Sequence, residues 1–230
     1  MLLPSRVGAV VLDLDGTLVD TESAWLAAEA ELAAEAGHRF GPADVAACRG
    51  GSIETVTTYL IGLLGVPTSR HQEVATDLAV RVAAHQPVPP VPMPGALELV
   101  RALAGRVPLG IVTNSGRAEL ERVLDGIGLA EQFPVTVSAD DVEWPKPHPD
   151  GYLQAFAALG ADPRRCVVIE DSATGAEAAR AAGALLVTVP ADAAHGPRGD
   201  LTLATLADPA FLAWAAAVQR AAALAPADVA

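Results

Sequence analysis

Lysine is almost absent from this chain of 230 residues: Lys146 stands alone, and the other 14 of its 15 basic residues are arginine. Aromatic residues make up only 4%, too few for a surface that stacks on bases or sugars. Against 28 acidic residues the bases leave a net charge of −13, with no basic run, so neither a nucleic acid nor an anionic membrane is expected as a partner. No apolar stretch approaches the ~20 residues that cross a bilayer, the longest being of the order of LAWAAAV at 212–218. At the start, Asp13 and Asp15 interrupt the apolar run too early for a secretory signal. Only Cys48 and Cys166 occur, at no metal-binding spacing, and both read as small buried hydrophobes of a reduced, cytoplasmic protein.

What is abundant is alanine and short branched apolar runs. Residues 7–12 are apolar without polar alternation, the pattern of a parallel strand covered on both faces. Runs at 107–112, 166–169 and 185–189 repeat it, with a weaker one at 135–137 and a last strand near 201–203. Helix-like sequence precedes each of the main runs. The pattern is α/β, a doubly wound parallel sheet whose ligands bind beyond the carboxyl ends of its strands.

Between the first two runs the strand signal vanishes. Helices are predicted at 21–36, ended by Gly37, at 52–64, ended by Gly65, and at 69–86. PVPPVPMPG at 87–95, with five prolines in nine residues, reads as a stiff return to the sheet. This divides the chain into a core of 1–19 and 91–230 and an inserted helical cap of 20–90. An alanine-rich helix is expected around 210–224.

The polar residues that end the strands carry the chemistry. VLDLDGT places Asp13 and Asp15 two residues apart, on one side of an extended chain. Carboxylates that close repel, so either one holds a proton, giving a nucleophile beside a general acid/base, or a cation bridges them; an acidic strand end before a Gly16-Thr17 turn would look the same. IVTNS offers Thr113, Asn114 and Ser115 as donors for an anion, or as ordinary helix caps. VIEDS adds Glu170 and Asp171, and Ser172 can cap the next helix. Lys146 lies between Pro145 and Pro147, a compact ammonium suited to a site crowded with carboxylates and phosphate oxygens.

DxDGT, a helical insert, TNS, KPHPD and EDS, in this order at successive strand ends, resembles the haloacid dehalogenase-like hydrolase superfamily over essentially the whole chain. The resemblance implies phosphoryl transfer through an aspartyl-phosphate, with magnesium. It makes Asp13 the nucleophile and Asp15 the general acid/base. Thr113 would bind the transferring phosphoryl group, assisted by Asn114 and Ser115, and Lys146 would hold nucleophile and phosphate. Asp171 would hold the metal, together with Asp13 and the backbone carbonyl of Asp15, with Glu170 as a further ligand. The function expected is hydrolysis of a small phosphorylated metabolite, a sugar or polyol phosphate.

Three rivals share parts of this pattern. Dehalogenases of the superfamily replace the second aspartate, which is present here. A signalling receiver also uses an aspartyl-phosphate and a lysine, but lacks a cap and takes its aspartate from a middle strand. Phosphomutases acting on glucose phosphates place a histidine where this chain has Trp25, whereas sugar-phosphate phosphatases often read D-[ST]-E-P-L-W, to which Asp20-Thr21-Glu22-Ser23-Ala24-Trp25 is similar. Within the cap, Trp25 reads as core, Glu22 as a solvated or first-turn residue with substrate-facing as the alternative, and Arg49 and Ser52 as flanking glycines in a loop that either reaches over the cleft or is a plain turn between helices. Arg117 reads as an exposed helix residue. His38, His71, His85, His148 and His195 show no metal spacing.

Overall fold

The computed structural model describes residues 3–191 and 196–221. Its strands and helices follow one another as β1 (Arg6–Val7), β2 (Val10–Leu12), α1 (Glu22–Glu35), α2 (Pro42–Cys48), α3 (Ile53–Leu64), α4 (His71–His85), α5 (Ala96–Leu103) and β3 (Leu109–Val112). Then come α6 (Arg117–Gly126), β4 (Val135–Val137), α7 (Asp150–Ala158), β5 (Val167–Glu170), α8 (Ala173–Ala181), β6 (Leu185–Thr188), β7 (Leu201–Thr202), α9 (Pro209–Ala217) and β8 (Gln219–Arg220).

Six strands form one parallel sheet in the order β4-β3-β2-β5-β6-β7, with β2 between β3 and β5. Period-two alternation divides its side chains between two apolar layers. Val10, Leu12, Ile111, Val167 and Ile169 enter one cluster with residues of α5, α6 and α9. Val11, Val112 and Val168 enter the other with residues of α7 and α8. The strands are buried on both faces, which is why they read as unbroken apolar runs. Val11 lies opposite Gly110 on one side and Val168 on the other, so the carboxyl ends of β2, β3 and β5 finish level. Residue 13, residue 113 and residues 170–171 therefore meet at one edge of the sheet.

α1 to α4 form a separate apolar cluster from Ala24, Ala28, Leu32, Cys48, Val56, Leu60, Ile61, Val74, Leu78 and Val82. Small alanines on α1 let it lie close against α4. Ser52 caps α3 by accepting from the Thr55 amide at 3.3 Å, and Gly65 ends it in the left-handed conformation. The outgoing and returning segments run side by side: the Asp20 amide donates to the Val91 carbonyl at 2.9 Å and the Met93 amide to the Leu18 carbonyl at 2.9 Å.

Several boundaries differ from the sequence reading. The run at 7–12 is broken at Gly8, whose amide turns to the Arg165 carbonyl, so Val7 pairs with Arg220 in a two-stranded parallel ribbon of β1 and β8. The segment at 69–86 opens with a 3-10 turn, Thr68–Arg70, before α4 begins. α2 escapes a periodicity search because it is only 7 residues long, although Pro42 at its first position and Asp44, which accepts from the Gly41 amide at 2.7 Å, are start signals. The helix expected at 210–224 stops at Ala217, where Val218 turns extended and leads into β8; residues 222–224 lie outside the described residues. Among the described residues no helix is long and apolar enough to cross a membrane.

Leu12 is fully buried at the centre of the sheet, whereas Val80 on α4 is 63% exposed. Leu12→Ala is expected to lower unfolding free energy by about 2–5 kcal/mol in urea titration, and Val80→Ala to change it by less than about 0.5 kcal/mol. Equal effects would contradict the placement of the core.

Candidate active site

Leu12 ends β2, and the next residue, Asp13, is 6% exposed at the sheet edge. Lys146 reaches it from the loop before α7: its Nζ donates to Asp13 Oδ1 at 2.6 Å and to Glu170 Oε1 at 2.6 Å. Glu170, fully buried at the end of β5, has both oxygens occupied. Oε1 also accepts from the Tyr152 hydroxyl at 2.7 Å, while Oε2 accepts from Ser172 Oγ at 3.0 Å and from the Asp171 and Ser172 amides at 3.2 and 3.3 Å. The Lys146 ammonium lies 5.1 Å from the centroid of the Tyr152 ring, a cation–π distance.

Asn114 fixes the lysine loop. Its Oδ1 accepts from the Lys146 amide at 3.0 Å and its Nδ2 donates to the Lys146 carbonyl at 3.0 Å. The same Nδ2 donates to the Gly50 carbonyl at 3.1 Å, tying the loop after α2 to the sheet edge. Asp15 is held by three hydroxyls: Oδ1 accepts from Thr21 at 2.6 Å, and Oδ2 from Thr113 at 2.8 Å and Ser115 at 2.7 Å.

Two glycines allow these acids to crowd together. Gly16, at φ 78°, would place a Cβ 2.5 Å from Asp171 Oδ2, and Gly175 would place one 1.7 Å from Glu170 Oε1. Any side chain at either position would displace a carboxylate.

One oxygen from each of Asp13, Glu170 and Asp171 lies within 4.8 Å of the others. Burial, together with the neighbouring acids, pushes the Asp171 carboxyl well up; burial does the same to Asp13, against the pull of Lys146. Burial also works against the Lys146 ammonium, but Asp13 and Glu170 outweigh it and hold its pKa above the ordinary value. Three buried acids thus face one cation. An all-oxygen donor set with uncompensated negative charge fits a hard divalent ion.

Above this edge lies a cavity of about 310 Å³ whose floor includes Asp13, Asp15, Thr113, Asn114, Ser115, Lys146 and Asp171. Glu22, Trp25, Leu26 and Glu29 of α1 and Arg49 after α2 contribute the cap side. Arg49 Nε pairs with Glu22 Oε1 at 3.0 Å. Trp25 packs on the cap cluster and also lines the cavity, so the expectation that it is core describes only part of its surface. Ser52 serves as the α3 cap.

Arg117 turns away, donating to Thr136 Oγ1 at 2.7 Å and pairing with Asp141. His38 lies by Asp44, His71 by Thr58, His85 by Glu31 and His148 by Asp150. His195 lies outside the described residues.

The sequence reading passed over Tyr152 and Glu29. Tyr152 is one of two tyrosines in the chain and follows Lys146 by six residues, but only the packing of α7 aims its hydroxyl at Glu170. Glu29 had a signal, since it falls seven residues after Glu22 and four after Trp25 on one helix face.

Comparison with known proteins finds relatives along most of the chain. The sequence model of a hydrolase family described as haloacid dehalogenase-like hydrolase matches residues 7–183. The chain is 32% identical over 179 residues to the fructose-1-phosphate phosphatase YqaB of Escherichia coli K12, covering 77% of this chain and 94% of that protein. It is 31% identical over 218 residues to hexitol phosphatase B of the same organism, covering 90% and 96%. Among solved structures, a HAD family hydrolase from Deinococcus radiodurans R1, with bound phosphate and sodium, aligns at a TM-score of 0.70 and 33% identity over 95% of this chain and 100% of that one.

Burial and the nearby Glu22 push the Glu29 carboxyl from 4.5 up to about 7. A carboxyl whose folded pKa is raised stabilises the fold below its unfolded pKa, and that contribution is lost as pH rises from about 4.5 through about 7. Glu29→Gln removes this titration. Its urea midpoint relative to wild type is therefore expected to be higher at about pH 8 than at about pH 5. A difference independent of pH would show that Glu29 titrates normally.

Proposed function

The chain belongs to the haloacid dehalogenase-like hydrolases and is a phosphatase of that family, and from this premise we propose that it hydrolyses a sugar or polyol phosphate, with magnesium, through an aspartyl-phosphate on Asp13. One observation carries the reading: Asp13 is held by the only lysine of the chain at the floor of a small-molecule-sized cavity. The two relatives named for fructose-1-phosphate and hexitol phosphates support the substrate class. Residues 1–19 and 91–230 form the phosphotransfer core in this reading, and residues 20–90 the cap that selects the alcohol.

Asp13 and Asp171 would hold the magnesium with the backbone carbonyl of Asp15. Glu170 would orient Lys146 and close the cluster from below, since its oxygens are already taken by donors. When bound, the ion supplies positive charge to the phosphoryl oxygens and lets two acids stay ionised side by side.

The protein's own residues do the rest. Lys146 keeps Asp13 Oδ1 in place, leaving Oδ2 to attack phosphorus. Thr113 and Ser115 now donate to Asp15; an incoming phosphoryl group competes for these hydroxyls and frees the Asp15 carboxyl. As the bond from phosphorus to the ester oxygen breaks, Asp15 gives that oxygen its proton and the alcohol leaves. Asp15, now a carboxylate, takes a proton from water while the water oxygen attacks phosphorus. The bond to Asp13 breaks, phosphate departs, and both carboxyls return to their starting states.

Trp25 lines the cavity with an indole N–H and no base, which favours release of phosphate over return to the sugar. With a hexose or hexitol phosphate, phosphorus NMR is expected to show free phosphate and no isomeric sugar phosphate. Chelation should abolish turnover and magnesium restore it, and Asp13→Asn should lower kcat by at least about 10³-fold in a folded sample. Full activity in chelator, or an isomer formed faster than phosphate, would overturn the reading.

A further inference from the structure

Glu29 is 5% exposed, and what exposure it keeps opens into the cavity. Among the described residues no hydrogen bond or ion pair reaches its carboxyl. Arg49, the cation on that side of the cavity, is taken by Glu22. The other neighbours along this wall include Leu26, Val45 and Cys48, which offer no strong donor, and Trp25, whose indole N–H makes no hydrogen bond to Glu29. A carboxyl so deeply buried is normally paired, because desolvation without a partner opposes folding. Here the missing donors must come from what enters the cavity.

We propose that Glu29 determines specificity by accepting hydrogen bonds from hydroxyls of the alcohol half of the phosphate ester, selecting neutral polyhydroxylated leaving groups over those that carry a carboxylate. Charge argues the same way. Glu22 and Glu29 set two acids against one arginine on the cap side, so an anionic leaving group meets net repulsion there. A hydroxyl suits Glu29 in either protonation state: the ionised carboxyl accepts through both oxygens, and the neutral one still accepts through its carbonyl oxygen. Apolar and aromatic surface from Trp25 and Leu26 beside it matches the C–H faces of a carbon chain.

The inference rests on the reading of the chain as a sugar or polyol phosphatase, and the test separates the two. Wild type, Glu29→Gln and Glu29→Leu are compared for kcat/KM on a hexitol phosphate, on acetyl phosphate, which has no hydroxyl, and on phosphoglycolate, which has a carboxylate. The ratio of hexitol phosphate to acetyl phosphate is expected to fall about tenfold or more in Glu29→Leu, chiefly through KM, and to stay within about threefold of wild type in Glu29→Gln. Wild type should use phosphoglycolate poorly. A ratio unchanged in Glu29→Leu overturns the role of Glu29 while leaving the sugar phosphatase reading intact. Wild-type turnover of acetyl phosphate with none of any sugar or polyol phosphate overturns that reading and this inference with it.

Discussion

Asp13, Glu170 and Asp171 are buried around the single ammonium of Lys146, and the local structure of the sheet edge follows from making that arrangement tolerable. In a low-dielectric setting an unpaired carboxylate is far more destabilising than a paired one, so Lys146 must be placed closely and kept there. Asn114 does this through the backbone on both sides of the lysine, and Tyr152 covers its remaining face. Gly16 and Gly175 remove the side chains that would force the acids apart. The parallel sheet supplies the rest, since level strand ends bring residues more than 150 positions apart in the chain within one hydrogen bond of each other through a shared lysine.

The cap meets this edge through few polar contacts. Asn114 links the lysine loop to Gly50, and Thr21, just before α1, donates to Asp15. Both contacts join the cap side of the cavity to groups that the proposed chemistry uses. The hydroxyls now spent on Asp15 are those a phosphoryl group would engage, so substrate entry and the release of Asp15 become one event. In the proposed chemistry, selection of the alcohol would then fall to the wall formed by α1.

Much of this was legible in the sequence because parallel strands covered on both faces must be continuously apolar, and their polar successors stand out. Asp13, Thr113 and Asp171 stood out as polar residues at strand ends, and the order of the motifs, through its resemblance to a known family, brought Lys146 to them. Shorter features were not legible: α2 is too brief to show a period, and the break at Gly8 depends on the distant Arg165 carbonyl. Nor could the facing of helix side chains be read. Trp25 lies at the border between cap core and cavity, and Glu29 and Tyr152 acquire their surroundings only when α1 and α7 pack. Lys146 was conspicuous through composition, since no other lysine competes for attention.

The central claim is that Asp13 carries the phosphoryl group. Acid quenching during turnover of a hexitol phosphate, followed by peptide mapping with mass spectrometry, tests it directly. The account predicts a phosphorylated peptide containing Asp13, present only while substrate remains and absent from Asp13→Asn. Phosphate released at full rate with the phosphoryl group found on another residue would contradict it.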